Sequence, residues 1–195
     1  MKNTFRASTL VLCLLLSFGQ HFVTAQVVDN FSLVNVMNGE TVTLESYPSC
    51  AGMVLIFTSN NCPYDDYYRK RVNQLAQAYQ DRVPVMLVNS HPDANESVDQ
   101  MVAKGKALNL RMPYLADKDQ TLMTKLNIKK SPEAVLLKNE NGKFIIAYRG
   151  AIDDNAQVES DVRQHYLRDA IDIMLNNQKI QTPEVRPVGC NVKRK

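Results

Sequence analysis

VLIFTSNNCPYDDYYRK, residues 54–70, is the stretch on which the fold turns. With Met53 it opens as a continuous apolar, β-rich run to Thr58, the pattern of a central strand buried on both faces. It then passes into helical spacing. Tyr68, Val72, Leu75 and Tyr79 recur at intervals of four, three and four, which makes one apolar stripe. At the junction stands Cys62, followed by Pro63, which suits a first helical position because no needed hydrogen bond is forfeited there. The sulfur then faces the free amides and positive dipole end of a helix. That setting favours thiolate, with pKa values of roughly 3.5–7.5 against about 8.5 for the free residue. The plainer reading of the same cysteine is a small buried hydrophobe.

Working outward, VPVMLVNS (83–90) reads as a second buried strand, so the order is β-α-β. On the N-terminal side, FSLVNVMNGETVTLESY alternates apolar and polar residues around Asn38-Gly39, a hairpin signal. On the C-terminal side, a polar loop containing His91 leads to a helix through Met101, Ala103 and Leu108, and DKDQTLMTKLNI predicts a shorter one. EAVLLK and KFIIAYRG predict two strands joined at Asn141-Gly142, and a last helix carries Val162, Tyr166, Leu167, Ala170, Ile171 and Met174 on one face. The expected class is a mixed α/β sheet flanked by helices, with an N-terminal β-hairpin, and chemistry at the carboxyl ends of its parallel strands. Cys62 falls at that edge.

The chain has 195 residues, 45% hydrophobic and 22% charged, the composition of one globular domain. Residues 1–25 stand apart from it: Lys2 and Arg6, an apolar run from Leu10 to Phe18, and Val23-Thr24-Ala25 predict a secretory signal of bacterial type. The apolar run is too short for a stable membrane span, which needs about 20 residues. Leu-Val-Leu-Cys ending at Cys13 resembles a lipoprotein box, but few apolar residues precede it. The expected organisation is a signal at 1–25, one domain at 26–178 and an irregular tail at 179–195, in a protein exported to the periplasm or secreted. Loss of Lys2 and Arg6 takes the formal charge from +3 to +1. A nearly neutral chain argues against a nucleic-acid partner.

Three cysteines then remain, Cys50, Cys62 and Cys190, an odd number for an exported chain. Cys50 lies at the far end of a six-residue strand, roughly 20 Å from Cys62 at about 3.3 Å per residue. A disulfide wants α-carbons within about 7 Å. Cys50 therefore reads as structural or incidental. The eleven residues from Lys179 to Gly189 can span about 36 Å, enough to carry Cys190 across a domain. The partner of Cys62 is Cys190, a cysteine of another protein, or none. In the same region Pro132, before a strand, fits a turn or an edge position. Asp65 and Asp66 complement the helix dipole and oppose a thiolate at Cys62. His91 could serve as base or metal ligand, though a loop histidine is usually solvated.

CPY (62–64), IKKSP (128–132), RGAIDDN (149–155) and the PVGC tail (187–190) together resemble the thioredoxin-like superfamily, in particular exported redoxin-domain proteins related to alkyl hydroperoxide reductase and thiol-specific antioxidant proteins. The resemblance implies a thioredoxin fold, Cys62 as reactive thiol and Pro132 as a cis-proline facing it. The chain departs from each familiar pattern. Asp65 breaks Cys-x-x-Cys, Asp66 breaks Cys-x-x-x-Cys, Ile56 stands where thioredoxins bury an acid, and Leu55 replaces the proline of Pro-x-x-x-Thr-x-x-Cys, with Ser59 at its threonine. The expected activity is thiol-disulfide exchange on protein or small-molecule disulfides, with Cys62 attacking, Cys190 a candidate resolving thiol, an external reductant and no cofactor or metal. The rivals are a thiol peroxidase acting on peroxides and a binding module without redox chemistry.

Overall fold

The computed structural model describes residues 26–195, so the expected signal and Cys13 lie outside the described residues. The element order is β1 (Val27–Val28), β2 (Leu33–Asn35), β3 (Thr41–Val42), β4 (Gly52–Phe57), α1 (Pro63–Tyr79), β5 (Val85–Asn89), α2 (Val98–Ala107), β6 (Tyr114–Ala116), α3 (Thr121–Lys125), β7 (Lys130–Ser131), β8 (Glu133–Glu140), β9 (Lys143–Gly150), α4 (Tyr166–Leu175), β10 (Glu184–Val185) and β11 (Cys190–Asn191). Strands β1 to β6, β8 and β9 run in the order β1-β9-β8-β4-β5-β6-β2-β3, with β10 also on β9. β4 pairs parallel with β5 and antiparallel with β8, and β5 pairs parallel with β6. The sheet is mixed, as the alternation of apolar segments requires. Among the described residues no helix is long and apolar enough to cross a membrane.

Successive side chains of a strand point to opposite faces, so β4 feeds two cores. Met53, Leu55 and Phe57 join Met86, Val88, Leu122, Met123 and Ile128 on one side. Val54 and Ile56 meet the α1 stripe of Tyr68, Val72 and Leu75, and Leu167, Ile171 and Met174 of α4, on the other. Ile56 is fully inside the second core, which leaves the central strand without an ionisable group.

The hairpin forms as predicted, with Leu33 opposite Val42 and Gly39 at φ +79° in the connection. Three features depart from expectation. β1 and β6 are strands of two and three residues, too short to show a period of two in the sequence. The last helix starts at Tyr166, and Val162 lies in the extended segment that precedes it. The tail holds two short strands: β10 runs parallel to β9, and β11 runs antiparallel to β7.

Both docking points of the tail need glycine. A Cβ on Gly150, at φ +119°, would meet the Val185 carbonyl oxygen, and one on Gly189 would lie 2.3 Å from the Ser131 carbonyl oxygen. Backbone can approach backbone this closely only where no side chain intervenes.

Candidate active site

Cys62 is the N-cap of α1, with Pro63 at the first helical position. Its sulfur bonds that of Cys190, and the two α-carbons are 6.0 Å apart. Cys190 is held there by register, since it stands opposite Ser131 in the β11-β7 pair, and the next link is Val192 N–H to the Lys129 carbonyl at 3.0 Å. Farther along, Gln120 Nε2 donates to both the Ser90 and the Lys193 carbonyls, tying the end of the tail to the end of β5. The tail is therefore fastened on both sides of Cys190. The 131–132 peptide bond is cis, and the Ser131 carbonyl oxygen lies 3.2 Å from the Cys62 sulfur. The structure thus brings Cys62, Cys190 and Pro132 to one edge of the sheet. Cys50 stays at the opposite end of β4, a free thiol donating to the Tyr47 carbonyl, with burial pushing its pKa up.

Asp65 does more than sit at the positive end of the dipole. Its carboxylate accepts from Thr58 Oγ1 at 2.5 Å, Ser131 Oγ at 2.9 Å and Ser59 N–H at 3.3 Å. Burial pushes its pKa up to about 7, against the opposing pull of those donors. The acid that stands where a dithiol would have its second cysteine is therefore half neutral near pH 7, which weakens the expected conflict with a Cys62 thiolate. Asp66 is exposed and pairs with Arg69 and Lys104.

The loop before Cys62 hangs on Glu96. This residue, 2% exposed, lies between β5 and α2 and accepts from Ser59 Oγ (2.5 Å), Asn60 N–H (2.9 Å), Asn61 N–H (3.2 Å), Asn61 Nδ2 (2.8 Å) and Asn89 Nδ2 (2.7 Å). Burial alone would raise its pKa, but the hydrogen bonds outweigh burial and hold the carboxyl below the usual range. Sequence reading missed Glu96, because a glutamate in a polar loop reads as solvated. The available signal was its complement: Ser-Asn-Asn before a buried cysteine is a run of donors that needs an acceptor.

His91 corrects the expectation of a solvated loop histidine. It is 6% exposed, and its Nε2 is buried without a hydrogen-bond partner. Burial holds its pKa below the ordinary value. Ser59, Asn61, both cysteines, His91 and Lys193 all border an open cleft of about 260 Å3. Among the described residues no group of three or more His, Cys, Asp or Glu side chains is arranged to hold a metal ion.

A profile of the AhpC/TSA family matches residues 24–155. No curated protein matches the chain in sequence. Among solved structures, the chain is similar to a hypothetical protein from Sinorhizobium meliloti 1021, with a TM-score of 0.78 and 26% identity over 88% of this chain and 94% of that one. An uncharacterized conserved protein from Geobacillus kaustophilus has the same TM-score at 24% identity, covering 88% and 92%. The exposed lipoprotein thioredoxin of Streptococcus pneumoniae strain TIGR4 superposes with a TM-score of 0.57 at 20% identity, covering 74% and 99%. The sheet and its flanking helices are thioredoxin-like.

Proposed function

Because this chain belongs to the AhpC/TSA family, we propose that it is a thiol-disulfide oxidoreductase working outside the cytoplasm, with Cys62 as nucleophile and Cys190 as its partner. The observation that carries the reading is the Cys62–Cys190 bond at the N-terminus of a 17-residue helix. In the reduced protein the Cys62 thiolate attacks one sulfur of a protein or small-molecule disulfide and expels the other as thiolate. The Cys190 thiolate then attacks the Cys62 sulfur, releases the second substrate thiolate and leaves the Cys62–Cys190 disulfide. An external dithiol returns two electrons. The positive end of the α1 dipole favours Cys62 as attacking and as leaving thiolate, and the Ser131–Pro132 segment forms the wall beside it. The signal expected at 1–25 from the sequence supports export, and the pneumococcal relative is itself an exposed lipoprotein. Insulin-disulfide reduction tests the reading: Cys62→Ser abolishes turnover and Cys190→Ser stalls it at a mixed disulfide. Turnover untouched by Cys62→Ser refutes it.

The family match also favours a second reading, a thiol peroxidase. Two features weigh against it: Leu55 is buried in mid-strand at the proline position, and the Ser59 hydroxyl is donated to Glu96. Peroxide loss coupled to a Cys62 sulfenate would favour this rival.

A further inference from the structure

We propose that Gln120 is the positioning residue of the Cys62–Cys190 couple: it holds the tail beyond Cys190 against the end of β5, so that the second thiol stays opposite Ser131 after the disulfide opens. The proposal rests on the oxidoreductase reading and adds what keeps two cysteines 128 positions apart working as a pair. Register alone holds Cys190 weakly, because β7 and β11 are strands of two residues. Apolar burial helps little, since between Arg186 and Lys195 it is Val192 that packs on a core, and only in part. Upstream, the last ladder contact is Val185, whose carbonyl accepts from Ala151 N–H at 3.0 Å. A tail fixed only there would carry Cys190 on an arm of about five residues, with a reach of roughly 16 Å. A second fastening, past Cys190, removes that freedom.

Gln120 supplies it. Its side chain is buried, Nε2 donates to the Ser90 carbonyl at 2.8 Å and to the Lys193 carbonyl at 2.7 Å, and Oε1 accepts from Lys195 N–H at 2.9 Å. These partners fix the amide's orientation, because the flipped form would set its oxygen against two carbonyls. The turn beneath it is firmly held. Asp117, fully buried, accepts from Ser90 Oγ (2.7 Å), Leu122 N–H (3.0 Å) and Met123 N–H (2.9 Å), and Gln120 N–H donates to the Asp117 carbonyl at 3.0 Å. Gln120 itself stands at φ +62°, in the left-handed region that glycine or asparagine enters more easily. A turn alone would be served by either of those, whereas the longer amide also reaches the tail. The other side-chain link past Cys190, Lys193 to Asp93, is an exposed ion pair and contributes little. Coupling is reciprocal: a tail that stays docked favours the disulfide by the same factor as the disulfide favours docking.

The test is the equilibrium of the full chain with glutathione, in which two protein thiols and one glutathione disulfide give the Cys62–Cys190 bond and two glutathiones. It is read by alkylation and mass for wild type, Gln120→Met and a chain ending at Val192. Gln120→Met keeps the volume and loses the hydrogen bonds, whereas the truncation removes the tail partners and leaves Gln120 on Ser90. Each should lower the equilibrium constant for the disulfide about tenfold. Replacing Lys193, Arg194 and Lys195 together by Ala keeps the backbone partners and should stay within about twofold of wild type. In the reduced wild type Val192 N–H should remain protected from hydrogen exchange, and in Gln120→Met and the truncated chain it should lose that protection. A purely structural Gln120 would make Gln120→Met easier to unfold in both redox states and leave the glutathione equilibrium unmoved, which overturns the proposal. So does a reduced wild type whose Val192 N–H exchanges as fast as in the variants, or an alanine triple that falls as far as the truncation. Should Gln120→Met fail to fold, the truncated chain decides by the same two readings. Each of these failures leaves the oxidoreductase reading standing, whereas a wild type that forms no Cys62–Cys190 bond at any glutathione ratio overturns both.

Discussion

Glu96→Ala should unfasten the loop that carries Cys62. Five donors converge on that carboxylate, but they do not lose equally when it goes. Asn61 is exposed and Asn60 half-buried, so water can replace the acceptor there, whereas the Ser59 hydroxyl and the Asn89 amide are buried. Two buried donors left unsatisfied cost about 1–3 kcal/mol each, hence roughly 2–6 kcal/mol in all, or a fall in Tm of roughly 5–20 °C for a domain of this size. Glu96→Gln keeps one acceptor oxygen and should lose about half as much. The neighbouring exposed Asn95→Ala should stay within about 0.5 kcal/mol of wild type. The sign of the pH dependence follows from linkage. Glu96 has a depressed pKa in the folded state, so its stabilisation is present above the ordinary value of 4.5 and fades as pH falls through the folded value. The gap between wild type and Glu96→Gln should therefore narrow in acid. Urea unfolding of the reduced proteins at pH 7 and in a series below 4.5 reads all of this. A Glu96→Ala protein within 1 kcal/mol of wild type at pH 7, or a gap that persists in acid, refutes the reasoning.

Three other perturbations separate the parts of the site. Asp65 is raised from 3.8 to about 7 in the folded state, so it opposes folding increasingly as pH rises between those values. Unfolding of Asp65→Asn across that window should show this downward slope removed, and an unchanged slope would count against the assignment. Gly189→Ala places a methyl against the Ser131 carbonyl and should weaken the Cys62–Cys190 pairing at least tenfold, about 1.4 kcal/mol, read as a shift of the equilibrium with oxidised and reduced glutathione. Cys190→Ser removes a link that closes 128 residues, so the oxidised protein should lose about 5 kcal/mol and the difference in Tm between oxidising and reducing buffers should vanish.

The parts legible in the sequence are those governed by local chemistry. The Met53 to Thr58 run, the stripe from Tyr68 to Tyr79, the Asn-Gly turns and the Cys62-Pro63 junction each announce an element through spacing or backbone demand. What escaped depends on distant neighbours. Cys190 could be given reach but not a destination, because its position is fixed by two backbone ladders and two glycines that have no periodicity to read. Asp65 reads as a dipole complement until Thr58, Ser59 and Ser131 are known to surround it. Glu96 and His91 read as loop polar residues until the 91–96 turn is seen folded over the thiol loop.

The most direct test of the account is peptide mapping of the full chain, purified under oxidising conditions and alkylated with and without prior reduction. The account predicts a linked pair of peptides carrying Cys62 and Cys190, with Cys50 alkylated in both samples. Free thiols at Cys62 and Cys190, or a bridge that includes Cys50, would contradict it.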